Sequence, residues 1–446
     1  MTQALSNLVD KNNNTGQHRI SLIMSFRPQY TYPGLTSLIL LCLVTVAAMP
    51  GARAQVLERH DTVTERARPG LDADGMPIGA MRLYPAVGVR LNYSDNVFAD
   101  DSMKASDTAL HVLPELRLRS RSPRHRAELG TSMDIARYSD LRTEDYDDLR
   151  LWALGDMQVR NGKLEARLRF DDIHENRTSP DDARGTELTG LKRSSVTVAY
   201  TYQPGRLLLR ADGVYRMQNF GNTQTTGGIV NNDDRDRDQL GFGLRAGYSM
   251  SPDYILFVET RTDSIDYDQR LDRNGFARSS DGIEARVGTL LDFSGRTSGE
   301  FFVGYLRRGY DDGRFNDVTG LSFGGEVAWN PTRLTTVTIA GSRTVRGTTI
   351  VGASGIFRSA LSVGLDHELR RNLILATRFQ YWKDDFQDID RNDDLAFLDL
   401  GAKYLMSRYA RLELGYRYQT RDTSPTGSGG RNYKINDVFL QIVGQL

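Results

Sequence analysis

From about Met81 to Leu446, the chain repeats segments of about ten residues in which apolar and polar side chains alternate, and a turn follows each segment. The segment Lys163–Asp171 shows the pattern, with charged residues at its odd positions and the apolar residues Leu164, Ala166, Leu168 and Phe170 between them. Successive side chains of a β-strand point to opposite faces. The chain is therefore expected to form a long series of strands, each with one apolar face and one charged face.

Strands with these two faces could belong to either of two architectures. A soluble sandwich would bury the apolar faces, but here the charged faces are too numerous and the segments too uniform in length. A closed barrel in an outer membrane places lipid against the apolar faces and water against the charged ones. The sequence thus predicts an all-β transmembrane antiparallel barrel with short periplasmic turns and long extracellular loops. Its surroundings would be the lipid and lipopolysaccharide of a Gram-negative outer membrane.

Turn-forming residues divide the repeats at regular intervals. Gly and Asn tolerate positive φ and Pro restricts φ, so these residues favour tight turns. Eight short turns are expected, at Ser122–Arg124, Asn161–Gly162, Gln203–Gly205, Ser251–Asp253, Ser294–Arg296, Asn330–Thr332, Arg371–Asn372 and Ser407–Arg408.

Longer polar segments alternate with these short turns, as is typical of outer-membrane barrels. They include Asp95–Asp107, Asn176–Leu188, Gly221–Asp236, Gln269–Arg278 and Arg421–Arg431. Eight short turns and about nine long loops imply about 18 strands, an even number that leaves both termini in the periplasm. A barrel of this size encloses an aqueous channel. The boundaries around Arg343–Gly355 and Asp311–Asp317 are the weakest in the pattern.

The N-terminal region has the features of an export signal. Arg19 and Arg27 precede the apolar stretch Leu35–Ala48, and Ala52–Ala54 then provides an A-x-A cleavage site. The apolar stretch is short for a membrane-spanning helix, which needs about 20 residues. A signal peptide is therefore the better interpretation.

Three regions follow from this assignment. Residues 1–54 would be an N-terminal extension and signal peptide, with Met24 as an alternative true start. Residues 55–80 lack the alternation, and we expect a flexible or loosely docked periplasmic lead. Residues 81–446 would form the barrel, whose final segment alternates up to Leu446, as expected of a terminal strand recognised by the barrel-assembly machinery.

Composition excludes several classes of function. Lys and Arg together number 57, as do Asp and Glu, so the chain lacks the basic excess expected of a nucleic-acid binder. Its single cysteine, Cys42, lies in the signal stretch, so the mature chain has neither disulfides nor a thiolate zinc site. The mean hydropathy of −0.46 is compatible with a barrel, because only every second strand residue meets lipid.

If the apolar positions face lipid, alternation places the charged positions in the lumen. The predicted pore-lining residues are Arg117, Arg119, Arg167, Arg169, Arg210, Arg245, Arg261, Arg286, Arg378 and Arg417, together with Glu165, Glu259 and Glu284. Rings of arginine in a pore favour anions, so an acidic sugar polymer or an anionic oligosaccharide would suit this lumen. Alternatively, the nearly equal number of acidic residues pairs with the arginines across strands and stiffens the wall.

Neither a metal site nor a catalytic site is predicted. The acidic stretches Asp233–Asp238 and Lys383–Asp394 lack EF-hand spacing, and solvated loops explain them better than a Ca²⁺ site. His174 and His367 lie beside acidic residues, but no G-x-S-x-G or H-E-x-x-H motif accompanies them. We therefore expect no cofactor and no enzymatic activity.

The first strand and its loop carry a short motif. The sequence Tyr93-Ser94-Asp95-Asn96-Val97-Phe98, at the end of the first alternating segment, resembles a Tyr-x-Asp-Asn-aliphatic-aromatic element of the family called putative β-barrel porin type 2. The strand rhythm extends this resemblance over Met81–Leu446. The resemblance implies an outer-membrane barrel encoded with exopolysaccharide or capsule genes, and it transfers no catalytic residue.

Three functions remain open on the sequence. The first is a conduit for exported exopolysaccharide or capsular polysaccharide, supplied by periplasmic export proteins. The second is a general or oligosaccharide-selective diffusion porin. The third is a structural or adhesin-like surface barrel with a closed lumen. A loop that fills the lumen would favour the third function, and Gly221–Asp236, which contains Gly227-Gly228, is the longest candidate.

Overall fold

The computed structural model describes residues 62–122, 125–293, 295–425 and 430–446. The predicted signal peptide, its cleavage site, Met24 and Cys42 lie outside these residues. The division of the chain at residues 54 and 80 stays a prediction. No helix in the described ranges is both long enough and apolar enough to span a membrane.

Eighteen long strands of the described chain form one closed antiparallel barrel, as predicted. Each strand pairs with its neighbours in sequence, and the first pairs with the last, Ala86 opposite Gln445 and Ser94 opposite Asp437. The strands are β1 (Met81–Ser94), β2 (Asp107–Ser120), β3 (His125–Tyr138), β4 (Tyr146–Val159), β5 (Gly162–His174), β6 (Gly190–Tyr202), β7 (Leu207–Phe220), β8 (Arg237–Ser251), β9 (Tyr254–Tyr267), β10 (Ser280–Phe293), β11 (Thr297–Tyr310), β12 (Val318–Thr332), β13 (Thr335–Arg346), β14 (Ile356–Arg370), β15 (Leu373–Phe386), β16 (Asn392–Ser407), β17 (Ala410–Ser424) and β18 (Tyr433–Gln445).

Alternation determines which side chains face lipid. Leu244, Val303 and Leu321 are at least 60% exposed on the outer face, whereas their sequence neighbours Arg245 and Ser322 point inward. Because the apolar residues lie outside, the usual soluble-protein pattern is reversed, and burial is found mainly among polar residues of the lumen and loops. This arrangement is the one predicted for a membrane barrel.

Short and long connections alternate around the barrel. The eight short connections contain two to four residues, and the end of the barrel that carries them is called the inner end below. The nine long connections, at the outer end, are 95–106, 139–145, 175–189, 221–236, 268–279, 311–317, 347–355, 387–391 and 425–432.

Three connections differ from the sequence prediction. The turn expected at Asn330–Thr332 lies at residues 333–334, because a register shift between Trp329 and Thr332 lengthens β12. Arg160, rather than Gly162, has the positive φ of its turn, at 51°. Most of Lys383–Asp394 is strand rather than loop, because Asp384 and Asp393 face each other across β15 and β16.

Short strands and 3₁₀ turns lie at the two ends of the barrel. The strand Met76–Ile78 pairs with the start of β1, and Thr223–Thr225 pairs with Gly228–Val230 as a hairpin within loop 221–236. Single 3₁₀ turns at Asp101–Met103, Arg142–Glu144 and Asp233–Arg235 occupy other long loops.

Candidate functional site

The candidate site is the barrel lumen, and every sequence-predicted pore-lining residue lies on its wall. Register shows their common side: Arg245 lies opposite both Arg210 and Glu259, whereas the neighbouring Leu244 is 67% exposed to lipid. Nine of the ten predicted arginines have a carboxylate oxygen within 4.0 Å, and in the described part of the chain Arg378 is the exception. Their role in transport stays a prediction.

A balanced network of charges, the central belt, runs along the middle of the wall from β4 to β11. Arg261 bridges Asp212 at 2.7 Å and Glu259 at 2.7 Å, and Arg245 bridges Glu259 at 2.9 Å and Glu300 at 2.7 Å. Six cations and six carboxylates form the belt: Lys163, Arg167, Arg210, Arg245, Arg261, Arg286, Asp156, Glu165, Asp212, Glu259, Glu284 and Glu300.

Because the charges of the belt balance, the predicted arginines within it are neutralised by neighbouring carboxylates. Glu259 is only 3% exposed and touches Arg245, Arg261 and Arg286, so its charge is shared among three guanidinium groups. Cross-strand pairing of this kind stiffens a wall and leaves little net field. Of the two alternatives left open by the sequence, wall pairing describes the belt better than a ring of free positive charge.

A different set of arginines lies above the belt, near the outer end. These residues surround a lumenal cavity of about 490 Å³ and form the outer arginine cluster: Arg169, Arg193, Arg216, Arg237, Arg308 and Arg346. Sequence reasoning named only Arg169. Continued alternation along β6, β7, β8 and β11 would have found four more, whereas Arg346 depends on a bend described below.

Loop 175–189, called the crossing loop, is held by ion pairs to three other loops. Arg177 binds Glu144 at 2.5 Å, Glu175 binds Arg235 at 2.6 Å, and Asp182 binds Arg431 at 3.0 Å. Burial alone would lower the pKa of Arg177, but the hydrogen bond and charge of Glu144 outweigh it and raise the pKa. All six partners are buried, so the loop is fixed in place.

The crossing loop also meets a loop from the far side of the barrel. The Asp181 carboxylate accepts hydrogen bonds from the Thr348 hydroxyl at 2.7 Å and from the Thr349 amide at 3.0 Å. Loop 347–355 joins β13 to β14, eight strands away around an 18-strand wall. Arg278 holds this second loop by donating to the Ile350 carbonyl at 3.0 Å and the Thr348 carbonyl at 3.1 Å. The two loops therefore join across the outer mouth.

An inward bend of the β13–β14 hairpin makes this contact possible. β12 pairs with β13 only as far as Phe323 opposite Arg343, whereas β13 continues to pair with β14 up to Arg346 opposite Ile356. The outer end of the hairpin thus leaves β12, and Arg346 joins the cavity lined by strands β5 to β8.

The contact across the outer mouth is made by the crossing loop and not by Gly221–Asp236, the longest candidate for a lumen-filling loop. Within Gly221–Asp236, the hairpin strand Gly228–Val230 is exposed, with Ile229 at 70%. The residue paired with Ile229, Gln224, contacts the crossing loop, because its carbonyl accepts a hydrogen bond from the Thr186 amide at 2.7 Å. The Gly227-Gly228 pair serves the hairpin turn.

At the inner end, residues 62–72 lie against the inside of strands β12 to β16. Val63 is fully buried against Ile374 and Leu405, and its amide donates to the Thr336 hydroxyl at 2.9 Å. Arg68 forms a buried ion pair with Glu368 at 3.0 Å. We call residues 62–72 the inner segment; it narrows the second mouth of the lumen.

The histidines make contacts within the wall. His111 bonds Asp134 at 2.7 Å, and His174 bonds Asp148 at 2.8 Å. In the described ranges, no group of three or more His, Cys, Asp or Glu has the spacing of a metal site. The predicted absence of catalysis and of a cofactor stays a prediction.

Comparison with known families decides the class of the protein. The model of the family described as "Putative beta-barrel porin 2" matches residues 68–446. The chain belongs to this family. It is therefore an outer-membrane β-barrel porin of a Gram-negative cell, as the motif after β1 had predicted.

Solved structures with a similar arrangement include other outer-membrane barrels. Pseudomonas aeruginosa OpdO is 14% identical with a TM-score of 0.41, and the match covers 83% of this chain and 98% of that one. P. aeruginosa OccK2 (OpdF) in complex with glucuronate is 11% identical with a TM-score of 0.43, covering 82% and 98%. The ferric citrate transporter FecA is 11% identical with a TM-score of 0.43, covering 79% and 61%. No curated protein sequence matches.

Proposed function

We propose that this porin is a selective diffusion channel for small solutes rather than a conduit for a polymer. The observation that carries the proposal is the contact of Asp181 with Thr348 and Thr349, which joins loops from nearly opposite sides of the outer mouth. A loop joined across an aqueous lumen divides it into narrower passages. Small solutes fit such passages, whereas a hydrated polysaccharide needs a wider continuous one.

The energetics of the crossing loop also support small solutes. A polymer would have to displace the loop and separate buried ion pairs such as Arg177–Glu144, whose side chains are 7% and 2% exposed. Removing one partner of a buried ion pair costs about 3–5 kcal/mol. Diffusion of a small solute past the loop requires none of these pairs to break.

The polysaccharide conduit implied by the family resemblance has no comparable support in the lumen. It would require movement at both mouths, because the inner segment adds a second constriction through Val63 and Arg68. The surface barrel with a closed lumen is the third alternative. The experiment below separates the three functions.

The test is single-channel recording of the purified mature chain in planar bilayers, combined with sizing by graded poly(ethylene glycols). We expect small, steady conductance steps that only the smallest polymers reduce. A variant with residues 176–188 replaced by a short Gly-Ser linker should conduct more and admit larger polymers. A matched control that shortens the exposed hairpin at 226–229 should resemble the wild type.

Other results would contradict the proposal. Entry of large polymers into the wild-type pore would support the polysaccharide conduit. A folded barrel that does not conduct in either the wild-type or the crossing-loop variant would support a closed surface barrel. Equal conductance of the wild type and the crossing-loop variant would show that the loop does not limit the pore.

A further inference from the structure

The outer arginine cluster differs from the central belt in its charge balance. In the belt every cation has a carboxylate within 4.0 Å. In the cluster, among described residues, Arg216, Arg237 and Arg346 have none. Asp171 serves both Arg169 and Arg193, and Asp263 serves Arg308. Six guanidinium groups thus have two carboxylates as ion-pair partners, an excess of about four positive charges around one cavity, which Asp384 and Asp181 offset in part at Arg346.

The fold brings these like charges together instead of separating them. Four strands in sequence, β5 to β8, contribute Arg169, Arg193, Arg216 and Arg237, and the inward bend of β13 adds Arg346 from across the lumen. Arg346 lies in the lumen in the field of two cations, Arg358 and Arg237, and of two carboxylates, Asp384 and Asp181. Concentrating like charge is unfavourable in the empty channel, and a bound polyanion would offset that repulsion.

The remaining lining suits a polar ligand. The Ser195 hydroxyl and the Gln218 and Gln239 amides lie on the inner face beside the arginines. A volume of about 490 Å³ falls in the range of small-molecule sites. Guanidinium groups bind carboxylate and phosphate through paired hydrogen bonds, so several of them together favour a solute with more than one such group.

We infer that the outer arginine cluster is a binding site for small solutes that carry two or more carboxylate or phosphate groups. The inference deepens the proposed function, because the cavity borders Gly347, directly beneath the joined loops. A solute that passes the outer mouth therefore meets the cluster next. Carboxylate and phosphate solutes share this chemistry, and the experiment distinguishes them.

The test measures equilibrium binding by isothermal titration calorimetry on the detergent-solubilised protein. Citrate is the carboxylate probe, pyrophosphate the phosphate probe and maltose the neutral one. The double variant Arg216→Gln/Arg346→Gln removes two side chains that have no carboxylate partner, so the wall should still fold. We expect citrate or pyrophosphate to bind about tenfold or more weakly to this variant, and maltose not to bind measurably to either protein.

A matched control removes the same charge from elsewhere in the lumen. Arg126→Gln/Arg378→Gln deletes two positive charges from the inner half, where Arg126 is 3.8 Å from Glu128 and Arg378 has no ion pair among described residues. This control should bind the anions within about twofold of the wild type. Equal losses in both double variants would overturn the inference, because they would indicate a general field rather than a site.

The outcomes separate the inference from the proposed function. A conducting channel that binds neither citrate nor pyrophosphate overturns the inference alone. A barrel that binds either anion but conducts no current supports the inference and overturns the diffusion channel. Binding of citrate but not pyrophosphate would assign the site to carboxylates, and the reverse result would assign it to phosphates.

Discussion

The Asp181 carboxylate accepts a hydrogen bond from the Thr348 hydroxyl at 2.7 Å, although the two residues belong to loops eight strands apart. This contact therefore links two nearly opposite sides of the outer mouth, and we call it the tie. It is made by one small side chain with neutral partners, and a hydrogen bond to a charged group contributes about 1.5–3 kcal/mol. The tie contains no ion pair, unlike the contacts of the crossing loop with its three neighbouring loops.

Substitution Asp181→Ala should loosen this tie without unfolding the barrel. It removes the acceptor of both the Thr348 hydroxyl and the Thr349 amide. We expect more frequent switching between conductance levels in single-channel records and an unchanged unfolding temperature. The control is Glu187→Ala, which removes an exposed carboxylate of the same loop. An Asp181→Ala channel as quiet as the control would show that the tie does not limit loop motion.

Substitution Arg177→Met should release the crossing loop, because it leaves Glu144 buried without its partner. An unpaired buried carboxylate costs about 3–5 kcal/mol, and this cost favours opening of the loop. Limited proteolysis should therefore cut within 175–189 in the variant and not in the wild type.

The control for Arg177→Met is Arg137→Met, which breaks an exposed pair with Asp147 at 2.8 Å. Exposed pairs contribute about 0–1 kcal/mol, so this variant should resist the protease as the wild type does. Equal resistance of Arg177→Met would contradict the assigned role of the buried pair.

Substitution Val63→Asp should displace the inner segment, because it puts a carboxylate between the apolar side chains of Ile374 and Leu405. With that segment released, conductance should rise while the barrel strands stay intact. The comparison is Ile78→Asp, at a position that is 53% exposed. If both variants conduct as the wild type does, the inner segment does not narrow the pathway.

Lowering the pH should change the stabilising contributions of two carboxylates of loop 221–236 in opposite directions. Burial raises the pKa of Asp234, but hydrogen bonds from the Arg273 side chain and amide outweigh it, so the pKa lies below its usual 3.8. A lowered folded pKa stabilises the loop above the unfolded value, and this contribution is lost as pH falls through the folded pKa. For Asp236, burial raises the pKa, so its contribution is present below the unfolded value and is lost as pH rises.

Hydrogen exchange of the amides of this loop at several pH values measures the sum of these two contributions to its stability. Protection from the Asp234–Arg273 contact should persist from about pH 7 to about pH 5 and decline only below about pH 4. In Asp234→Asn, that acid-dependent decline should disappear. Loss of protection already at about pH 5 in the wild type would contradict the lowered pKa of Asp234.

The strand pattern was predictable because lipid and water impose alternation on every segment. Errors arose where local geometry departs from it, as at the register shift near Thr332 and where Asp384 and Asp393, both acidic, are strand residues. Arg358 neutralises Asp384, and Arg391 neutralises Asp393. The alternation of apolar and polar residues does not reveal which charged side chains form such pairs.

The site was predictable only in part. Alternation alone places the arginines on the lumenal wall, but it does not show which of them are neutralised. The identity of the crossing loop depends on pairs such as Asp182–Arg431, which are 249 residues apart. Loop length and glycine content favoured Gly221–Asp236 instead. These properties indicate how flexible a loop is, but they do not show which residues bind the loop in one position.

The departure of β13 from β12 has a consequence for the barrel as a whole. Closing a sheet removes its free edges, yet the residues Val318–Ser322 of β12 have a partner strand on one side only. Phe357, 4% exposed and packed with Leu306 and Val318, covers part of this gap. The wall thus contains a short unpaired edge at Val318–Ser322, and the same departure of β13 places Arg346 beside the lumenal cavity. We expect the barrel to open first along this edge, because fewer backbone hydrogen bonds hold it.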